Sequence, residues 1–290
     1  GDENYTIWPF TPSPMDIAPL DVNKSYRLRL RPFNCSVKDL QITILTDTVN
    51  VYRDSTGMPH IYAKTEADLY RAAGYLSAQD RIWQMDVLRR LTEGRLSEIF
   101  GKEMIETDRL FRSLNLEAKS RMVLDSTSRH ILVALEAYSE GVNQYLEDNK
   151  GKLPPEFSLL GYQPEKWEPL HSANLIGYMG WSLSPGWSTE VKMFKLRKEH
   201  DQDYFKALLP GMDLHDTYVV PAYEKDIQEA IAMIENVNRK ISDMGLQAFQ
   251  ASNNWAVAGS KTKTGKAILA NDMHLELRIP GIWYQMHQVI

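Results

Sequence analysis

The chain has 290 residues, 43% hydrophobic and 24% charged, with a formal net charge of −5 at pH 7. This is the profile of an ordinary globular chain of about two domains, and the acidic balance excludes a basic field for nucleic acid or for an anionic membrane. The single cysteine, Cys35, excludes an internal disulfide framework and a multi-cysteine metal site, and no run approaches the ~20 apolar residues of a membrane span.

Residues 1–41 are expected to form an irregular extension. Trp8-Pro9-Phe10-Thr11-Pro12-Ser13-Pro14 resists helix and strand alike, because proline fixes φ and lacks a donor. Arg27-Leu28-Arg29-Leu30-Arg31 alternates and suggests an edge strand. Residues 42–200 form a second region, strands first and then mostly helices. Ile42, Thr43, Ile44, Thr46, Thr48, Val49 and Val51 predict one or two strands up to Tyr52. A turn at Asp54-Ser55-Thr56-Gly57 leads into an extended piece, Met58 to Ala63.

Thr65 is a plausible N-cap, with Glu66 and Asp68 in the first turn where the helix dipole favours acids. The helix it opens runs to about Arg90, with Leu69, Ala72, Ala73, Leu76, Ile82, Trp83, Met85 and Leu88 as core candidates, and Gly94 ends it. A second helix spans about Ser128 to Asp148, and helical patterns resume at His171 to Trp181 and Glu190 to Leu209. Residues 201–251 look like a linker or spacer, with one amphipathic helix from Glu224 to Asp243.

At residue 252 the character changes again, and 252–290 is expected to begin a β segment. Trp255 to Gly259 should pair with Ala267 to Ala270 across a polar, glycine-containing loop. The last ten residues look like a strand with no partner after them, which would leave a sheet edge open; the chain is therefore expected to be part of a longer protein.

Several chemistries can be set aside. There is no glycine-rich phosphate loop, no H-E-x-x-H and no G-x-S-x-G elbow. Ser260-Lys261-Thr262-Lys263, Ser252-Asn253-Asn254 and Lys263-Thr264-Gly265 imitate the motifs of penicillin-binding serine enzymes. They fall in one hairpin with Lys263 shared, and one hairpin cannot build three walls of a pocket.

Ser252 carries a stronger idea. A serine hydroxyl needs a base to accept its proton, and an α-amino group, with a pKa of about 7.7 to 8.0, is partly neutral near pH 7. Cleavage between Ala251 and Ser252 would place such an amine on the nucleophile's own residue, a known variant of triad logic. The small Ala251 leaves room for a tetrahedral intermediate. The bland alternative is a serine that merely starts a strand, and on chemistry alone that is the commoner case.

The surrounding blocks shift the balance. Tyr52-Arg53-Asp54-Ser55-Thr56-Gly57-Met58-Pro59-His60-Ile61-Tyr62-Ala63 resembles the penicillin acylase family of N-terminal-nucleophile hydrolases. So do Gly74 to Asp86, the Gly94-Arg95-Leu96-Ser97-Glu98 run, Ala137 to Asn143, Ser252 to Val257 and Gly265 to Leu275. The resemblance implies an α+β fold, an αββα sandwich incomplete in this chain, with a largely helical α-chain region. It implies a precursor cut into α chain, spacer and β chain, which would be its own partners, and Ser252 matches the first residue of the β chain. The substrate it implies is a small-molecule N-acyl amide, such as a penicillin or cephalosporin side chain; nucleic acid and membrane are not expected partners.

The same resemblance assigns further residues. His274 matches a position near the nucleophile, where histidine occurs in acylases acting on cephalosporin side chains or acyl-homoserine lactones; the alternative is a loop residue that orders the hairpin end. Glu190 matches a carboxylate that binds a structural Ca²⁺, an ion that takes several oxygen ligands; the alternative is a solvated helix-start glutamate. No organic cofactor is expected. Met179, Trp181 and Leu183 fall near the stretch that lines the acyl pocket, although apolar residues at such spacing are more often core. Asp80 and Arg81 are expected to form a buried structural network, and Arg53, Asp54 and His60 to fix the turn and its packing. The oxyanion donors of the family cannot be located in this chain, so the chain alone is expected to hydrolyse no amide at a useful rate. Export to the periplasm is implied by the family only. Two rivals remain: an acyl-homoserine lactone acylase, and a non-catalytic helical scaffold that kept the framework.

Overall fold

The computed structural model describes residues 28–32, 38–40, 44–184, 193, 196, 199–208, 224–246, 251–274 and 280–290. The strands are β1 (Leu28–Pro32), β2 (Lys38–Leu40), β3 (Asn50–Arg53), β4 (Pro59–Tyr62), β5 (Ala251–Val257), β6 (Ile268–His274) and β7 (His287–Val289). The helices are α1 (Glu66–Glu93), α2 (Ser97–Phe100), α3 (Ile105–Leu114), α4 (Leu116–Ser126), α5 (Arg129–Asp148), α6 (Pro155–Leu159), α7 (Pro169–Ser182), α8 (Gln202–Leu208) and α9 (Glu224–Asp243). The fold is α+β and predominantly helical. Contacts divide it into two units, one within 1–86, 124–172 and 283–290, the other within 87–123 and 173–282. Among the described residues no helix is long and apolar enough to cross a membrane.

The first unit holds a five-stranded sheet in the order β2-β1-β3-β4-β7. β1 pairs in parallel with β3 and antiparallel with β2, so it is not the edge strand its alternation suggested; the short β2 turns back and covers it. Of the stretch from Gln41 to Tyr52 expected as one or two strands, Gln41, Ile42 and Thr43 lie outside the described residues, and the described part yields β3 alone. The chain ahead of it is bent, because Asp68 near the start of α1 accepts hydrogen bonds from Thr46 N (3.0 Å), Thr46 Oγ1 (2.6 Å) and Asp47 N (3.0 Å). Those backbone donors therefore serve a helix start rather than a ladder. Thr65 caps α1 as expected, its Oγ1 accepting from Asp68 N at 3.1 Å.

α1 is buried on every side from Ala72 to Ala78, the signature of a central helix. Two glycines make this possible. A Cβ on Gly74 would sit 2.0 Å from Tyr138 O, and one on Gly141 would sit 1.9 Å from Arg71 O. α1 and α5 thus touch backbone to backbone, and Tyr75 meets Tyr145 edge-on at 5.5 Å beside that crossing. The last strand, β7, pairs back in parallel with β4, His60 opposite His287 and Tyr62 opposite Val289, and is the outer strand of the sheet among the described residues, so the edge beyond it is open as expected. The residues before it brace α1. The Tyr284 hydroxyl donates to Asp80, and Asp80 also holds Arg53 at 2.7 Å. Arg53 reaches Gln79 (2.9 Å) and Gly57 O (2.8 Å) as well, so these residues form the expected network, but Asp80 is exposed rather than buried.

In the second unit Gly94 ends α1 with φ +64°, and a Cβ there would lie 2.6 Å from Asp108 O. Asp108 then accepts from Leu96 N (2.8 Å), Ser97 N (2.9 Å) and the Ser97 hydroxyl. α9 rests on α3: Val237 and Ile241 are buried, Asn236 Nδ2 donates to Glu106 (2.7 Å) and Lys240 Nζ to Glu103 O (2.6 Å). The Tyr178 hydroxyl donates to Leu246 O at 2.6 Å, which pins the end of that segment to α7.

Candidate active site on the β5–β6 hairpin

β5 and β6 form an antiparallel pair in the register Ala251↔His274, Ser252↔Met273, Asn253↔Asp272, Asn254↔Asn271 and Trp255↔Ala270. The hairpin is longer than the sequence pattern suggested, because pairing continues past Trp255 through polar residues. Its connection is compact. A Cβ on Gly259 would meet Gly265 O at 2.2 Å, Gly265 has φ +70°, and Thr262 Oγ1 donates to Gly259 O (3.0 Å) and to Lys266 O (2.8 Å). The residues that imitate penicillin-binding motifs therefore build a turn and the strand beside it.

Ser252 is exposed, and its hydroxyl has no hydrogen-bond partner among the described residues. It follows Ala251 within one continuous strand, so its nitrogen is here a peptide nitrogen. Side chains alternate across a strand. Ser252 therefore shares a face with Asn254 and, across the ladder, Asn271, while His274 lies on the other face with Asp272. His274 Nε2 is 2.8 Å from Asp272 Oδ2, and both residues are exposed. The structure brings Ser252 and His274 to one hairpin end without bringing their side chains together.

Asn254 and Asn271 escaped the sequence analysis. Asn254 could have been found from its two-residue spacing to Ser252; Asn271 needed the register, which the turn decides. Both put polar amides on the face from which a nucleophile at 252 would work.

Met179, Trp181 and Leu183 do not line one surface. Trp181 packs edge-on to Phe111 with centroids 5.3 Å apart and lines a groove of about 330 Å³ with Leu116, Val123, Ala173, Ile176 and Gly177. Met179 and Leu183 are one helical turn apart, Leu183 N donating to Met179 O at 2.8 Å, and both lie about half a turn round from Trp181. Glu190 lies outside the described residues. Among the described residues no three His, Cys, Asp or Glu side chains converge on one point.

The model of the penicillin amidase family matches residues 48–290. A penicillin acylase 2 proenzyme from Pseudomonas sp. (strain SE83) is 38% identical over 256 residues, covering 86% of this chain and 33% of the relative. The acyl-homoserine lactone acylase QuiP of Pseudomonas aeruginosa is 32% identical over 245 residues, covering 82% of this chain and 29% of the relative. The chain thus spans about a third of the length of these curated relatives. A solved thermostable penicillin G acylase from Alcaligenes faecalis superposes with a TM-score of 0.49 at 28% identity, over 60% of this chain and 97% of the other.

Proposed function

This chain belongs to the penicillin amidase family, and on that premise we propose that the protein is an amidohydrolase precursor that cuts itself between Ala251 and Ser252 and then uses Ser252 as an N-terminal nucleophile. The observation that carries the reading is Ser252 itself. It is exposed, uncommitted in hydrogen bonding among the described residues, and placed directly after a small residue at the head of β5.

The cleavage chemistry balances without a cofactor. Ser252 Oγ loses its proton and bonds to the Ala251 carbonyl carbon; the C–N bond breaks and the nitrogen takes up the proton, leaving an ester. Water then hydrolyses the ester, giving an Ala251 carboxylate, a free Ser252 hydroxyl and a free Ser252 amine. In turnover that amine takes the hydroxyl proton, the serine attacks the acyl carbonyl, the amine product leaves with the proton, and water releases the acid. Asn254 and Asn271 hold the polar face on which this occurs. His274, held by Asp272, supports the end of β6.

The substrate is a linear N-acyl amide. A penicillin-type acyl side chain follows the relative of 38% identity, and an N-acyl-homoserine lactone follows that of 32%. Purified full-length protein and its Ser252→Ala variant, assayed against a panel of both substrate types, test the proposal. Release of free acid by the parent and none by the variant supports it; equal release by both, or none by either, sinks it and favours the scaffold.

A further inference from the structure

Two histidines distant in sequence meet at the edge of the five-stranded sheet. His60 of β4 and His287 of β7 are register partners, and their Nδ1 atoms lie 3.2 Å apart, 227 positions separating them along the chain. We propose that His60 and His287 form a two-imidazole binding site for a divalent transition-metal ion such as Zn²⁺, clasping β7 to β4.

The geometry suits such an ion. Two Zn–N bonds of about 2.0–2.1 Å drawn to nitrogens that far apart enclose an angle of about 100°, close to tetrahedral. Imidazole is a ligand type that Zn²⁺, Cu²⁺ and Ni²⁺ favour.

The surroundings of His60 point the same way. The ring is buried, 6% exposed, and its Nε2 is buried without a hydrogen-bond partner. The nearest acceptor is Asp54 Oδ2 at 3.5 Å, too long for a full hydrogen bond. Asp54 is itself fixed, accepting from Thr56 N (2.8 Å), Thr56 Oγ1 (2.7 Å) and Met58 N (3.0 Å). A carboxylate behind the ring favours a proton on Nε2 and directs the Nδ1 lone pair towards His287, as outer carboxylates do for metal-bound histidines.

His287 is exposed, so its Nδ1 proton can pass to its own Nε2 through solvent when the ion enters. The Tyr62 ring, edge-on to His287 with centroids 6.0 Å apart, walls one side. Two imidazoles leave the other coordination positions to water, one protein ligand fewer than open zinc sites use, so the ion would be exchangeable. A cut before Ser252 would leave the two ligands on different chains joined by the ion; that consequence rests on the proposed cleavage, and the site itself does not.

The test is a Zn²⁺ titration of the chelator-stripped full-length protein by calorimetry, with excess Ca²⁺ present to occupy oxygen-ligand sites. The parent should bind about one equivalent more than His287→Gln, and its Tm should rise with Zn²⁺ while that of the variant does not. His274→Gln, which removes the exposed imidazole beside Asp272, should bind as the parent does. Paramagnetic shifts of both His60 and His287 ring protons on adding Co²⁺ supply a readout that needs no variant. Equal stoichiometry in parent and His287→Gln, or Co²⁺ shifts absent from both rings, overturns the proposal.

Discussion

Ser252 and His274 lie on opposite faces of one hairpin, a single register step apart. In the uncut chain the imidazole cannot take the serine's proton directly, and its Nε2 is already engaged by Asp272 at 2.8 Å. His274→Gln in the full-length protein should therefore lower kcat far less than the ~10²–10⁴-fold expected when a group that transfers the reacting proton is lost. Steady-state kinetics on the variant check this. A loss in that larger range would mean that cleavage rebuilds the end of β6 and turns the imidazole towards Ser252.

The α1–α5 crossing should be intolerant of a single methyl group. Gly74→Ala and Gly141→Ala each drive a Cβ to within about 2 Å of a carbonyl oxygen on the facing helix, and backbone cannot swing aside as a side chain can. Each should cost about 1–3 kcal/mol or more, measured by denaturant unfolding. Gly57→Ala is the control: a Cβ there meets nothing within 4 Å, although its φ of +84° carries its own strain.

Asp68 should contribute to acid sensitivity. Burial opposes its charge, but hydrogen bonds from Thr46 and Thr65 and contact with Arg71 outweigh that and hold its pKa below the ordinary carboxylate value. A carboxylate depressed in the folded state stabilises fully above its unfolded pKa, about 3.9, and that contribution is lost as pH falls through the lower folded value. Asp68→Asn should destabilise near pH 7 by about 1–3 kcal/mol and flatten the decline in stability below about pH 4. Urea midpoints of parent and variant from pH 7 down to pH 3 test both statements.

Arg53 and Asp80 should couple energetically. Burial works against the Arg53 charge, yet its hydrogen bond and ion pair with Asp80 raise its pKa. The Tyr284 hydroxyl shares that carboxylate, and burial followed by Asp80 pushes the phenol well above its ordinary range. A double-mutant cycle with Arg53→Met and Asp80→Asn should return a coupling of about 1–2 kcal/mol. Additive losses would show the pair to be incidental.

How much was legible in sequence varied with the range of the interaction. The helices and the Thr65 cap follow from local pattern, because apolar spacing and a side-chain oxygen at a helix start act within a few residues. Gly74 and Gly141 stood inside recognisable blocks, but their reason, a backbone contact between two helices, depends on residues 67 positions apart. The bend at Thr46 and Asp47 could not be foreseen from β-branched composition, because Asp68 takes the donors a strand would have used. The open edge at β7 could be read from the sequence, but its pairing with β4 could not, because β4 lies more than 200 positions earlier. At the hairpin, Ser252 could be singled out by chemistry and resemblance, whereas the face of His274 is a property of register alone.

In the mechanism proposed, Ser252 becomes a chain terminus. Intact mass and N-terminal sequencing of the purified full-length protein test it most directly, with Ser252→Ala beside it. The parent should yield two or more chains, one beginning Ser252-Asn253-Asn254-Trp255, and the variant a single uncut chain. A parent that remains one polypeptide while hydrolysing amides, or a variant cut at the same bond, would contradict it.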